Sequence, residues 1–383
     1  MGSNPEKILM TKKESILCIV PLPPPITGPA IASETIVNYL KRHYDVVVMA
    51  YQRGNLISGR FSLSQFLRVI VIGVRLMLIR KTFDCVYLVI SSTFWGNLRD
   101  LFLLVMMGYS LRNKTILHLH GANIKRYLNG GFRPIKYLNK KMLGGIRHAI
   151  VLGGTFKNIF DGYIFNDKIR IVNNYFKTDL LTTEENISRK FNSPEKINIL
   201  FLSNLIREKG YEVLLDAFLS MHETIRNKAM LHFAGEIYST DEKRLFTNNI
   251  KNRPNIFYHG PVAGEEKRRL LEYSHIFCLP TFHKFEGQPI SILEAYASGC
   301  IVLTTRNGGI NDIFVDNSNG FLLDMDIERL KENLRERLGM LITNIDKYRH
   351  VAIFNRKEAS EKYAEEVFCR KVEEVLFNSE ASK

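Results

Sequence analysis

The chain has 383 residues, enough for two domains of ordinary size that each bury a core. Its hydrophobic content of 45% and charged content of 24% exclude a disordered or fibrous chain. The net charge of +14 is concentrated: residues 46–160 hold 17 Lys and Arg against only Asp84 and Asp100, leaving the remainder nearly neutral.

In the first half, strands are predicted at 16–20, 45–50, 84–90, 115–119, 148–152 and 169–173, and helices at about 30–42, 61–80, 96–110, 133–145 and 154–163. The first apolar run, Ile16 to Leu22, is short and ends in Pro23-Pro24-Pro25, so no signal peptide is expected. Beyond it, Thr27-Gly28-Pro29 leads into a helix, and Gly28 lets backbone N–H groups approach a phosphate. The apolar helix 61–80 is interrupted by Arg68 and Arg75 and ends at Arg80, so it should not span a bilayer. It reads as an interfacial element on anionic lipid or as an ordinary core helix with a narrow solvated edge. The basic region lacks helix-turn-helix, zinc-finger and RNP patterns, so nucleic acid is not the expected partner. Strand 115–119 runs into His120-Gly121, and alternation places His118 and His120 on one side, with His120 at the strand end. No third ligand is spaced for zinc. The five scattered cysteines, without a CxxC pair, favour reduced, buried thiols in a cytosolic chain.

The polar stretch Thr178 to Lys196, with Pro194, reads as a linker. Strands then fall near 197–203, 229–234, 255–258, 275–279, 301–304 and 319–322. Helices lie near 210–224, 241–251, 264–273, 289–298 and 324–341, with a helical tail from 346. This alternation implies an α/β protein of two doubly wound parallel sheets, whose ligands sit beyond the carboxyl ends of strands.

Three such ends in the second half carry polar chemistry. Strand 197–203 runs into Asn204-Leu205-Ile206-Arg207-Glu208-Lys209-Gly210, where Arg207 and Lys209 could neutralise a diphosphate. Ala234-Gly235-Glu236 closes the next strand. The most informative segment is Phe285-Glu286-Gly287-Gln288-Pro289-Ile290-Ser291-Ile292-Leu293-Glu294-Ala295. Glu286 precedes a helix start, Gly287 permits a sharp turn, and Pro289 suits the first helical turn. The unpaired N–H groups between Gln288 and Ser291, Ile290 among them, favour a phosphate. Glu294, about one and a half turns into that helix, could accept hydrogen bonds from a ribose. Asp324-Met325-Asp326 opens the following helix and reads as a cap rather than a metal motif. Without a GxGxxG or Walker A sequence, NAD and ATP enzymes are disfavoured and no cofactor is expected.

The segment from strand 275–279 through Asn307-Gly308-Gly309 resembles the donor-site signature of retaining glycosyltransferases of family GT4. Their GT-B fold has two Rossmann-like domains facing a central cleft. The likeness covers most of residues 15–340 in layout. It implies an N-terminal acceptor-binding domain at 1–177, completed by a C-terminal helix at about 360–383, and a nucleotide-sugar-binding domain at 178–359. In the family a strand-end histidine meets the donor sugar, a role that would fall to His120. The family's glycine loop matches Gly28, although Gly28-Pro29 stands where most relatives have two glycines. Lys209 matches the family lysine, whereas Asn204 replaces the usual arginine, leaving Asn204 or Arg207 to meet the phosphate. Glu236 lies at the family's glycine-acid turn. Glu286 would orient sugar hydroxyls and Glu294 the ribose, with Gly287, Gln288, Pro289 and Ile290 at the helix mouth.

The implied activity is retaining transfer of a hexose from a nucleotide-diphosphate sugar, UDP rather than GDP. The acceptor would be a hydroxyl of a lipid-linked glycan, as in bacterial O-antigen, capsule or exopolysaccharide synthesis. His120, Glu286 and Lys209 would carry catalysis without a metal. The basic first domain implies a cytoplasmic, peripheral protein on the anionic inner face of the cell membrane. Two other classes stay open. A GT-B nucleotide-sugar epimerase would need further carboxylates, and the acid-free run 101–160 offers none. A non-enzymatic binder of membrane or nucleic acid would not need Glu286 or Glu294.

Overall fold

The computed structural model describes residues 13–24, 27–51, 63–79, 82–129 and 132–377. The chain divides into two compact units. One comprises the described residues up to Val151, then Asn158–Arg170, then those from Cys369 on; the other comprises Leu152–Lys157 and Ile171–Phe368. The boundary read from sequence, between 177 and 178, falls inside the second unit.

The first unit contains β1 (Ser15–Pro21), α1 (Gly28–His43), β2 (Asp45–Tyr51), α2 (Leu63–Leu78), β3 (Cys85–Ile90), α3 (Phe94–Met106), α4 (Gly108–Arg112) and β4 (Thr115–Leu119). They are followed by α5 (Ile124–Asn129), α6 (Arg133–Gly144), β5 (His148–Val151) and β6 (Ile169–Ile171). The sheet order is β2-β1-β3-β4-β5-β6, parallel from β2 through β5. β1, β3 and β4 are buried at every position, as central strands covered on both faces require. Thr27 caps α1 by accepting the Ala30 N–H, and Thr93 caps α3 by accepting that of Gly96. The helix expected over 96–110 is two helices, because Gly108 adopts a left-handed φ of +63° and breaks the run. The segment 154–163, expected as an α-helix, forms a 3-10 turn at Gly154–Phe160.

The second unit contains α7 (Glu184–Phe191), β7 (Ile197–Leu202), α8 (Tyr211–Leu219), α9 (Glu223–Arg226), β8 (Ala229–Ala234), α10 (Thr240–Ile250) and β9 (Ile256–Gly260). Then come α11 (Gly264–Tyr273), β10 (Ile276–Leu279), α12 (Ile290–Ala297), β11 (Ile301–Thr305), β12 (Gly320–Leu323), α13 (Ile327–Thr343), α14 (Arg349–Glu358) and only the first residues of α15 (Glu365–Phe377). Its sheet is parallel throughout, in the order β12-β11-β10-β7-β8-β9. The expected linker at 178–196 is instead largely structured. Thr183 caps α7, and Ile187 and Phe191, four residues apart on one face, are buried in this unit's core. Asp326 caps α13 by accepting the Arg329 N–H, as its spacing predicts.

From Cys369 on, α15 belongs to the first unit. There Tyr39 and Tyr44 donate to the two oxygens of Glu373 at 2.7 and 2.6 Å, and Tyr44 stacks on Phe377. All five cysteines are buried. Burial pushes the Cys85 thiol up to about 12 and raises those of Cys18, Cys278 and Cys300 as well.

Candidate active site

In each sheet the strand order reverses once, between β1 and β3 and between β10 and β7. At such a reversal the loops leaving two neighbouring strands diverge and open a crevice. Two sequence candidates of the second unit lie there. Lys209 follows β7 and Glu286 follows β10.

Lys209 closes a 3-10 turn, Arg207–Lys209, ended by Gly210 at φ +81°. A Cβ at Gly210 would lie 2.3 Å from the Pro280 carbonyl oxygen, so the two loops approach more closely than any side chain permits. The Phe282 N–H donates to the Glu208 carbonyl at 2.8 Å, lacing the loops together. This brings the Lys209 ammonium to 2.7 Å from both carboxylate oxygens of Glu286. Thr281 donates its hydroxyl to the same carboxylate, also at 2.7 Å. Glu286 is only 5% exposed, so this buried charge is compensated by one cation and one hydroxyl.

The loop after β11 braces the other side. Gly308 has φ +51°, and a Cβ there would lie 2.1 Å from the Glu286 carbonyl oxygen. The Gly309 N–H donates to the Gly287 carbonyl at 3.1 Å. Asn307 donates to the carbonyls of Thr281 and His283 at 3.3 and 3.0 Å.

Pro289 is the N-cap residue of α12 rather than its first helical residue, and Ile290 begins the helix. The N–H groups of Ile290 and Ser291 therefore open the helix mouth. Glu294 is buried on α12, and its Oε1 accepts from the Lys267 ammonium of α11 at 2.5 Å. Gln288 is buried and turned into the protein, where its amide meets Leu152, Asn173 and Asn174.

The other candidates spread around the same sheet edge. Asn204 is exposed and donates its amide to the Tyr238 hydroxyl at 3.0 Å. Arg207 is also exposed, 3.5 Å from the Glu212 carboxylate. Glu236 offers its carbonyl to the Leu205 N–H at 2.9 Å. The preceding Gly235 approaches the Ser203 carbonyl so closely that a Cβ would lie 1.9 Å from its oxygen.

In the first unit, Gly28 opens α1 at the end of β1, and His120 follows β4. Strand alternation stacks His120 on His118, ring centroids 3.9 Å apart, and the Tyr87 hydroxyl lies 2.6 Å from His118 Nδ1. Burial holds the His118 imidazole well below its ordinary pKa, so it is neutral at physiological pH.

Sequence reasoning missed Thr281 and Lys267. Thr281 carried a weak signal, a hydroxyl just past a buried strand. Lys267 carried none, because it is one of three consecutive basic residues, Lys267-Arg268-Arg269, on a solvated helix.

Residues 183–351 match the family model described as glycosyl transferases group 1. An uncharacterised glycosyltransferase of Methanocaldococcus jannaschii is 24% identical over 66% of this chain and 67% of its own length. In fold, the chain is similar to an Anabaena protein crystallised with UDP and glucose, with TM-score 0.68 and 16% identity over 95% of this chain and 99% of that one. It is also similar to a lipopolysaccharide outer core galactosyltransferase in its apo form, with TM-score 0.64 and 13% identity over 96% of this chain and 100% of that one. At these identities the structural likeness shows the fold.

Proposed function

Because this chain is a glycosyltransferase of the GT-B fold whose second unit carries a glycosyl transferases group 1 domain, we propose that it moves a hexose from a UDP-sugar to a hydroxyl of a lipid-linked glycan. The observation that supports this reading is the pair of half-buried Lys209 and buried Glu286 at the reversal point of the second sheet. A departing diphosphate gains negative charge in the transition state, and a preorganised ammonium lowers that cost. Lys209 is the cation best held for it, with the α12 mouth adding N–H donors. Glu286, fixed by Lys209 and Thr281, offers a rigid acceptor to sugar hydroxyls. Glu294 keeps its Oε2 for the ribose while Lys267 holds its Oε1. Asn204 or Arg207 would stand in for the family's arginine; the Asn204 amide meets the Tyr238 hydroxyl and Arg207 lies 3.5 Å from Glu212. The similar Anabaena protein was solved with UDP, which supports a uridine donor.

The acceptor side rests on the first unit. On α2, Leu67, Val71, Val74 and Leu78 are exposed at helical spacing and form one apolar stripe. Each of Arg68 and Arg75 follows a stripe residue by one position, which sets both along one edge of the stripe. Arg80 lies outside the described residues. Trp95 on α3 is 63% exposed, and Phe132 and Tyr137 are exposed at and on α6. No helix among the described residues is long and apolar enough to cross a membrane. An apolar stripe edged with arginine and accompanied by exposed aromatics suits a helix lying in an anionic lipid interface. The similar lipopolysaccharide galactosyltransferase supports a surface-glycan setting.

The deciding experiment is a panel of UDP- and GDP-sugars scored by the rise in melting temperature, followed by transfer assays with the stabilising donor. A rise with UDP-hexoses is expected. No rise with any nucleotide sugar would refute the proposal.

A further inference from the structure

Gln288 stands two positions after Glu286, where a ligand contact is the obvious role, yet its amide is turned away from the helix mouth. It is 4% exposed, and both ends of the amide are used by the protein. Its Nε2 donates to the Leu152 carbonyl and to Asn173 Oδ1, both at 3.0 Å, and its Oε1 accepts the Asn174 N–H at 2.5 Å. The Asn174 amide returns a bond to the Gln288 carbonyl at 2.8 Å. Leu152–Lys157 and the segment from Ile171 are the stretches by which the chain enters the second unit.

A second set of contacts reaches the same place from the opposite side. The Thr155 N–H donates to both oxygens of Asp312, at 3.1 and 3.2 Å. Asp312 ends the 3-10 turn Gly308–Asp312, whose first two residues rest on the carbonyls of Glu286 and Gly287. Gly309 also leaves room for the Phe156 ring, which a Cβ there would meet at 2.9 Å. The contacts thus form a closed ring: the Glu286 loop, the Gly308–Asp312 turn, residues 152–157, and Gln288 back to the loop.

We propose that Gln288 is a positioning residue that locks the Glu286 loop to both entry segments, so that occupation of the loop is transmitted to residues 152–157 and 171–174. The functional half of this proposal rests on the nucleotide-sugar reading above; the mechanical half does not. A loop tied in this way cannot shift without breaking bonds to three polar groups, of which those on Leu152 and Asn174 are buried and costly to leave unpaired.

The test is amide hydrogen exchange on the full chain, comparing wild type with Gln288→Leu, which keeps side-chain volume but removes every side-chain hydrogen bond. Without nucleotide, exchange in Gln288→Leu should rise about tenfold or more in 152–157, 171–176 and 286–292 together, with strands β7 and β8 unchanged. Adding UDP should protect all three segments in wild type but only 286–292 in the variant, while the UDP Kd changes by less than about threefold. Faster exchange confined to 286–292 would overturn the proposal. So would a Kd weakened by about tenfold or more with protection still reaching 152–157, since Gln288 would then be a nucleotide ligand. If Gln288→Leu does not fold, Asn173→Ala should give the same three-segment pattern at lower amplitude, and its absence overturns the proposal equally. Failure of wild type to bind UDP would count against the donor reading alone, because the nucleotide-free comparison still decides the lock.

Discussion

Lys209 and Glu286, 77 residues apart in the chain, meet as a bidentate pair with both nitrogen-to-oxygen distances at 2.7 Å. Each loop can be read on its own in the sequence; the reversal of strand order between β10 and β7 makes the two residues neighbours. The pair is the natural first target for mutation.

Glu286→Ala should lower transfer turnover by about 10²-fold or more, because the reacting sugar loses its fixed acceptor. Glu286→Gln keeps the shape but loses the charge, and should retain more stability than activity. Steady-state transfer rates read beside melting temperatures separate the two effects. Wild-type turnover in Glu286→Ala would remove this residue from the mechanism.

Lys209→Ala should cost about 2–4 kcal/mol of transition-state stabilisation, read from kcat/KM. It also strands a buried carboxylate, so some loss of melting temperature should accompany it. Activity should survive EDTA, since Asp326 serves as the cap of α13. Complete loss in chelator, restored by Mn²⁺ or Mg²⁺, would contradict this.

Glu294→Ala should weaken UDP binding with little change in turnover at saturating donor. Lys267→Met should weaken it less, by roughly 3- to 10-fold, because it frees the acceptor that Lys267 now holds in place. Calorimetric titration with UDP provides the comparison. Equal affinity across wild type and Glu294→Ala would move the ribose elsewhere.

His275 sets an acid limit on the second unit. It is buried, accepts the Asn198 N–H at Nδ1 and lies 3.0 Å from the Lys190 carbonyl at Nε2. Burial, with the Lys190 charge added, pushes its pKa down to about 4. An imidazole depressed in the folded state binds fewer protons there than when unfolded. Its contribution is therefore intact above the ordinary value near 6.5 and is lost as pH falls through the window down to about 4. At pH 5 the loss is about 2 kcal/mol. Denaturant melts at pH 7 and pH 5 should show it, and His275→Gln should flatten the dependence.

Flotation with liposomes tests the α2 surface. Binding should require anionic lipid, weaken in high salt, and fall when Arg68, Arg75 and Arg80 become Glu, at about 1 kcal/mol per basic residue near the surface. Replacing Leu67 and Val71 with Ser should weaken binding even at low salt. Equal binding to neutral vesicles would point the charge toward another partner.

Much of this architecture was legible in the chain. Buried parallel strands announce themselves as continuous apolar runs, and β1, β3, β4 and β10 stand where such runs lie. The carboxylates Glu286 and Glu294 were legible because a helix start has its own signature. What they touch was not. Pairing across 77 residues depends on sheet order, which no local pattern encodes, and Lys267 looks like its solvated neighbours. Helix α7 escaped for a related reason: two apolar residues in eight make a poor pattern, though their four-residue spacing suffices once a core is there to receive them. The motif places Gln288 at the helix mouth through its backbone, but no local pattern tells where its side chain points, which partners at 152, 173 and 174 decide.

The five buried thiols have a practical consequence. Cys18 and Cys85 lie in the first unit's sheet, and Cys278 and Cys300 in or beside β10 and β11 of the second. Only a thiolate exposed to solvent reacts quickly with an alkylating reagent, and none of these is available in the folded chain. Labelling must wait for local opening, so each peptide becomes a clock for the unit that contains it. Mass spectrometry of timed labelling would therefore give two opening rates from one unmodified protein. A ligand seated beside Glu286 should slow the Cys278 and Cys300 clocks while leaving those of Cys18 and Cys85 running at their own pace.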